Sequence, residues 1–267
     1  MSDLRLTQIR IYPIKSLGGI SLTSAKVLGK GLQYDRRWML VDNQGKFMTQ
    51  RIYPMMALFT VTLHDDHLTI HHKGDSLKLA MNQANVHPSS EVQIWDDVVS
   101  TNEVSPEHSL WFSKRLGLSC RLVYFPEGNE RPVDPAYRVN NEQVSLADAY
   151  PFLIIGQRSL DELNSRLAKP VSMVRFRPNF VFSGGIPYEE DTWKSFTIGS
   201  AHFAGVKPCS RCVLTTVNPE TGEKQDEPLR TLSTYRKREN KIYFGQNLVA
   251  LNLSVVNVGD DITLKNS

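Results

Sequence analysis

The chain has only three cysteines in 267 residues, unlike the dense, even-numbered patterns that staple small secreted domains. A structural disulfide is not expected. It has no apolar run much longer than Pro151-Phe152-Leu153-Ile154-Ile155, and a membrane helix requires roughly 20 such residues, so no membrane association is expected. It also lacks any block of five or six like charges, and its formal net charge is only +3. A nucleic acid polymer is therefore not the expected partner. The opening stretch, MSDLRLTQIRIYPIKS, has neither an apolar signal core nor an Arg/Ser-rich presequence. The expected location is cytoplasmic.

With 40% hydrophobic and 22% charged residues, the chain has the composition of an ordinary globular protein and is long enough for a large core or two smaller ones. Short strand-like runs fill the first hundred residues: Leu4–Tyr12, Trp38–Val41, Leu58–Leu63, Leu68–His72 and Val92–Trp95. Turn signals separate them, which predicts a small antiparallel barrel or sandwich. A helix is predicted over Pro106–Leu116, with Leu110, Trp111 and Leu116 as its apolar contacts and Gly117 as its stop. A strand over Cys120–Phe125 and a polar, irregular segment to Asn141 follow. Ser159-Leu160-Asp161-Glu162 reads as a capping box opening a second helix. Further strands are expected at Asn179–Ser183, Ser195–Ile198, Ala201–Val206, Cys212–Val217, Leu248–Val256 and Asp261–Leu264, with a short helix near Leu229–Arg236. The expected class is β-rich α+β, divided into residues 1–125 and 126–267.

Cys209 and Cys212 form a Cys-x-x-Cys pair. A thiol-disulfide exchanger places such a pair at a helix start, whereas Val213-Leu214-Thr215-Thr216-Val217 favours a strand. A structural zinc site needs four ligands, and here it would have to recruit His202 and Cys120. Two ordinary buried cysteines are the plain alternative, but Lys207 and Arg211 beside them favour a thiolate and an anionic ligand. His64, His67, His71 and His72 fall on one apparent hairpin, where alternation puts the last two on opposite faces and a solvated hairpin is the reading. The turn Ile14-Lys15-Ser16-Leu17-Gly18-Gly19 lacks phosphate-loop spacing and is read as an anion nest of backbone and lysine. Asp35-Arg36-Arg37-Trp38, Arg51 and Phe176-Arg177-Pro178-Asn179 add cations beside turns. Together they suit a polyanionic ligand. Asp148, before the apolar run at residue 151, has no role readable from the sequence alone.

Tyr12-Pro13-Ile14-Lys15-Ser16, Asp35-Arg36-Arg37-Trp38, Arg175-Phe176-Arg177-Pro178-Asn179, Cys209-Ser210-Arg211-Cys212 and Thr215-Thr216-Val217-Asn218-Pro219-Glu220-Thr221-Gly222 occur in one order. In that combination the chain resembles the MOSC-domain molybdenum enzymes, and among them the mitochondrial amidoxime-reducing component and its bacterial counterparts. The resemblance implies an N-terminal β-barrel domain and a MOSC β-barrel-like domain with flanking helices. Between them they would hold the molybdenum cofactor, a molybdopterin. It implies Cys212 as metal ligand and catalytic residue and Asp148 as an acid near the metal. Lys15, Ser16, Arg36, Arg177, Asn179 and Arg211 would bind the cofactor with Cys212. Tyr150 stands where some relatives have serine, and Gly185 where some have cysteine. The implied reaction reduces small N-hydroxylated compounds to amines. A separate ferredoxin-, flavodoxin- or cytochrome-type partner would supply the electrons, because this sequence carries no ferredoxin-like cysteine cluster. A carrier of the cofactor or of sulfur, without turnover, is the alternative.

Overall fold

The computed structural model describes residues 4–82 and 89–265. Its largest sheet has nine strands, eight of them in the order Ile262–Leu264, Ser195–Ile198, Ala201–Arg211, Lys241–Ala250, Phe152–Gly156, Phe180–Ser183, Arg5–Ile11 and Ile20–Leu22. Pairing is antiparallel except between Phe152–Gly156 and Phe180–Ser183. Parallel neighbours need a crossover, and the helix Gln157–Ser165 lies within it. Phe152, Phe180, Phe196 and Phe203 are fully enclosed beneath this sheet. Phe203 meets Phe152 and Phe180 with ring centroids 5.4 Å apart.

Smaller sheets occupy the rest of the first half. Trp38–Val41, Arg121–Tyr124, Asp97–Glu103 and Ser89–Ile94 make one; Thr60–Leu63, His67–His72 and Asp75–Ala80 make another. Trp38, Phe59, Phe112 and Leu122 form the centre of their shared core. The class is thus the expected β-rich α+β. Pairing nevertheless crosses the expected division at residue 125. Arg5–Ile11 pairs with Phe180–Ser183, and Ser24–Leu28 pairs with Ser254–Asn257.

The helix Pro106–Leu116 matches the sequence expectation in extent, with Ser105 capping the His108 amide and Gly117 left-handed at φ 67°. Of its expected apolar contacts, Trp111 and Leu116 pack on the core and Leu110 does not. Leu110 is 54% exposed, while Phe112 is fully buried. The capping-box expectation is overturned: the second helix starts at Gln157 after Gly156. Ser159, already inside it, donates to the buried Glu190 carboxylate at 3.0 Å. The expected strand at Cys212–Val217 is a single 3-10 turn, Val213–Thr216, and Leu248–Val256 is split between two strands ending at Ala250 and starting at Ser254. His71 and His72 do lie on opposite faces. His71 is exposed, while His72 is buried and stacked on Phe59 at 4.1 Å.

The turn after the first strand ties the large sheet to the core of the first half. Lys15 donates its amide to Trp38 O, and Gly18 donates to Phe59 O, each at 2.8 Å. A Cβ on Gly19 would stand 2.4 Å from the Tyr12 ring, and one on Gly18 2.7 Å from Phe59 O. Close packing against the first half therefore requires these glycines. The same contacts fix Lys15 and Ser16 at the edge of a cavity.

Candidate functional site

That cavity, about 140 Å³, opens into an outer chamber of about 770 Å³. Lys15, Ser16, Arg36, Asp148, Arg177, Asn179, Arg211 and Cys212, scattered along the chain, all line the inner cavity. So does Arg51, which the sequence reading placed only among cations near turns. The lining holds Lys15, Arg36, Arg51, Arg177 and Arg211 against the lone acid Asp148. Such an excess of cations suits an anionic ligand.

Two left-handed residues aim the floor. Arg36 (φ 50°) and Arg177 (φ 54°) adopt a conformation that costs non-glycine residues energy, and their guanidinium carbons lie 4.3 and 4.1 Å from the centre of the Tyr12 ring. Arg36 Nη1 donates to Asp35 Oδ2 at 2.6 Å, and Arg177 Nη1 to Leu17 O at 2.7 Å. Burial pushes Arg177 down to about 10. Its Nη2 and the Nε of Arg211 are buried without a hydrogen-bond partner among the described residues. Two unspent donors on one cavity point to a missing acceptor. Asn179, by contrast, is saturated within the protein: its amide donates to Arg10 O and Asp35 Oδ2, both at 3.1 Å, and accepts from Leu153 N at 3.2 Å. It braces the floor. Ser16, also left-handed at φ 66°, has its carbonyl tied to Gln50 Nε2 at 2.7 Å.

The opposite side centres on Cys212. Its thiol is exposed to the cavity and accepts from Arg51 Nε at 3.1 Å. Arg51 Nη2 pairs with Asp148 Oδ2, whose other oxygen accepts from Lys15 Nζ at 2.5 Å. Cys212, Arg51, Asp148 and Lys15 thus form one chain of charge-assisted contacts. The Lys15 and Arg51 cations hold the Asp148 carboxyl well below the usual carboxylate range even though its desolvation opposes them. Burial lowers Lys15 to about 8, against the pull of Asp148. The Cys212 backbone is fixed by Thr215, whose amide and hydroxyl donate to Cys212 O at 3.1 and 3.0 Å. Cys209 is half-buried and accepts from Arg211 Nη1 at 2.9 Å, while Arg211 Nη2 donates to Phe176 O at 2.6 Å. Cys120 is buried in the core of the first half. No group of three or more His, Cys, Asp or Glu able to hold a metal occurs among the described residues.

Two residues of the site lay outside the sequence reading. Arg131, in the segment read as irregular, is buried and donates to Ser145 O at 2.8 Å, Ala147 O at 2.6 Å and Asp148 O at 3.1 Å. It shapes the loop carrying Asp148 and anchors it to Asp97 at 2.7 Å. Trp95 donates its indole N–H to Asp148 Oδ1 at 3.4 Å. Neither has a local signal, because both reach the site through long-range folding. No helix of the described residues is long and apolar enough to cross a membrane.

Comparison with known proteins finds two matching family models. The MOSC N-terminal beta barrel domain matches residues 3–119, and the MOSC domain matches residues 141–263. Mouse mitochondrial amidoxime-reducing component 1 is 35% identical over 97% of this chain and 82% of its own length. The human protein of that name is 34% identical over the same shares. Rice molybdenum cofactor sulfurase is 31% identical over 99% of this chain, which spans 34% of that longer protein. Matched in both halves and along nearly its whole length, the chain belongs to the MOSC-domain family.

Proposed function

We propose that this protein is a molybdenum-cofactor-dependent reductase that converts small N-hydroxylated compounds, such as hydroxylamines, amidoximes and N-hydroxylated bases, to amines. The observation that carries the reading is the placement of an exposed Cys212 thiol beside a cationic cavity with two unspent buried donors. Similarity to the amidoxime-reducing components supports reduction as the direction of the chemistry.

The residues fit the group. A molybdopterin presents an anionic phosphate and a metal that favours a soft thiolate. Arg177 Nη2 and Arg211 Nε supply donors with no other use, Lys15 and Arg36 add charge, and Cys212 supplies the thiolate. When bound, the cofactor supplies the two-electron redox chemistry. Arg51 orients the Cys212 sulfur through Nε. Asp148, held ionised by Lys15 and Arg51, fixes the direction of the Arg51 fork and accepts donors at the cavity mouth. Asn179 keeps Asp35 and Arg36 in place. Reduction of an N–O bond consumes two electrons and two protons and releases water. A separate electron-transfer protein delivers the electrons, and the working location is cytoplasmic.

A cofactor or sulfur carrier is the second reading, and similarity to the sulfurase favours it. Metal analysis decides the ligand: protein from cells that make the cofactor should hold near-stoichiometric molybdenum in wild type and Cys209→Ser, but not in Cys212→Ser. Turnover decides the class. Reduction of benzamidoxime by reduced viologen supports the reductase, whereas a fully loaded protein inactive on benzamidoxime and hydroxylaminopurine overturns it for the carrier.

A further inference from the structure

The outer chamber is built around a strained tryptophan. Ser89–Ile94 and Asp97–Glu103 form a hairpin joined by Trp95 and Asp96, with Ile94 opposite Asp97. Trp95 has φ 56°, at a turn position where glycine or asparagine is the usual choice and a bulky residue is strained. Its surroundings hold it there. Gln93 Nε2 donates to Trp95 O at 2.9 Å, Gln93 exchanges backbone bonds with the Gly45–Phe47 segment at 2.8 and 3.0 Å, and Asp97 is tied to the buried Arg131 at 2.7 Å. Strain so fixed in a turn calls for a use outside the turn.

Trp95 and Tyr150 are the aromatic side chains lining the 770 Å³ chamber, which also contains Cys212 and Asp148. Phe47, at 5.2 Å between ring centroids, and the Arg51 guanidinium, at 4.7 Å, cover part of the indole and set its plane. The side chain still leaves the residue 45% exposed. The uncovered part of the indole is therefore presented in the same chamber as the thiol. The carboxylate of Asp96, at the chamber wall, makes no ion pair among the described residues and suits an amino group. Among N-hydroxylated compounds these features select planar, conjugated ones carrying an amino group. Small aliphatic ones gain nothing from the indole.

Building on the reductase reading, we infer that Trp95 is a specificity-determining residue: its exposed indole face is a stacking platform that favours planar, conjugated N-hydroxylated substrates over small aliphatic ones. Stacking on an aromatic side chain is worth about a tenfold or greater change in affinity. The test compares benzamidoxime with acetamidoxime, which share the reacting group and differ in the ring, using molybdenum-loaded wild type, Trp95→Ala and Trp95→Phe. Trp95→Ala should lower the ratio of kcat/KM values, benzamidoxime over acetamidoxime, by about tenfold, through KM. Trp95→Phe, which keeps a ring but loses the N–H to Asp148, should keep most of the ratio. An unchanged ratio in Trp95→Ala overturns the inference. So does an equal loss on both substrates in both variants, which would mean that the indole acts only through Asp148. Binding is read separately by indole fluorescence: Trp38 and Trp193 are buried, and Trp111, packed against the core of the first half, does not line the chamber, so a saturable quench by benzamidoxime that disappears in Trp95→Phe supports the platform even if wild type turns nothing over. No quench in wild type overturns the platform, while absence of turnover with a normal quench overturns only the reductase reading.

Discussion

Glu190 is a carboxyl with no solvent exposure and no cation as partner among the described residues; the Gly156 amide at 3.1 Å and the Ser159 hydroxyl at 3.0 Å donate to it. Burial pushes its carboxyl up to about 7. Between the ordinary value near 4.5 and about 7, the folded state holds this proton and the unfolded chain does not. Stability from this group is therefore full below pH 4.5 and lost as pH rises through 7. Glu190→Gln keeps an acceptor for the same donors and cannot ionise. Relative to wild type it should gain about 1–3 kcal/mol on moving from pH 5 to pH 8, measured by urea denaturation at both values. A constant difference between the two proteins would refute the assignment. At the site the opposite design holds: Asp148 lines an open cavity between Lys15 and Arg51 and stays ionised. Partners decide the two outcomes. The sequence shows both acids but names partners for neither, since Lys15 and Arg51 lie far from Asp148 along the chain.

At the scale of elements, legibility followed how local the determining forces are. Trp38–Val41 and Pro106–Leu116 were readable to the residue because a turn signal, a serine cap and a glycine stop mark their ends. Asp97–Glu103 was missed, since its hairpin turn is Trp95-Asp96 and tertiary contacts impose the positive φ that glycine would have advertised. Ser89–Ile94 and Asp97–Glu103 do alternate in burial, but Val98 faces water and the buried Thr101 is polar, so the residue types carry little of that alternation. Ser159-x-x-Glu162 has the right letters for a capping box, but Ser159 is spent on Glu190, and Glu162 on Tyr235 at 3.0 Å, Tyr188 and Arg166. The first helix shows what a one-position error costs. Phe112 touches Phe59 and Trp111 at centroid distances of 5.6 and 5.1 Å, whereas Leu110 faces water. Phe112→Ala should lose about 3–5 kcal/mol to transfer and cavity terms, and Leu110→Ala less than about 0.5 kcal/mol, by chemical denaturation. The reverse order would place the helix face where the sequence suggested.

Across the whole molecule, the division at residue 125 that the sequence pattern supports for the site does not describe how the protein is held together. Lys15, Ser16, Arg36 and Arg51 come from one side of it, and Asp148, Arg177, Arg211 and Cys212 from the other. The cavity therefore exists only when both are folded. The large sheet is likewise shared: without residues 1–32, Phe180–Ser183 loses Arg5–Ile11 as a neighbour and Ser254–Asn257 loses Ser24–Leu28. Exposed edges and an opened core follow, including the faces covered by Leu6, Ile9, Ile11 and Val27. A fragment of residues 126–267 should accordingly lack a cooperative thermal transition, and the intact chain should unfold in a single one. Supplying residues 1–32 in the same cells should recover soluble fragment, because those strands carry the missing pairing, while residues 33–125 alone should not. A fragment that unfolds cooperatively by itself would mean that its core is self-sufficient and the shared strands are only an addition. Molybdenum content of the rescued fragment gives a second reading. It regains Lys15 but not Arg36 or Arg51, so it should bind the cofactor less completely than the intact chain even when its sheet is restored.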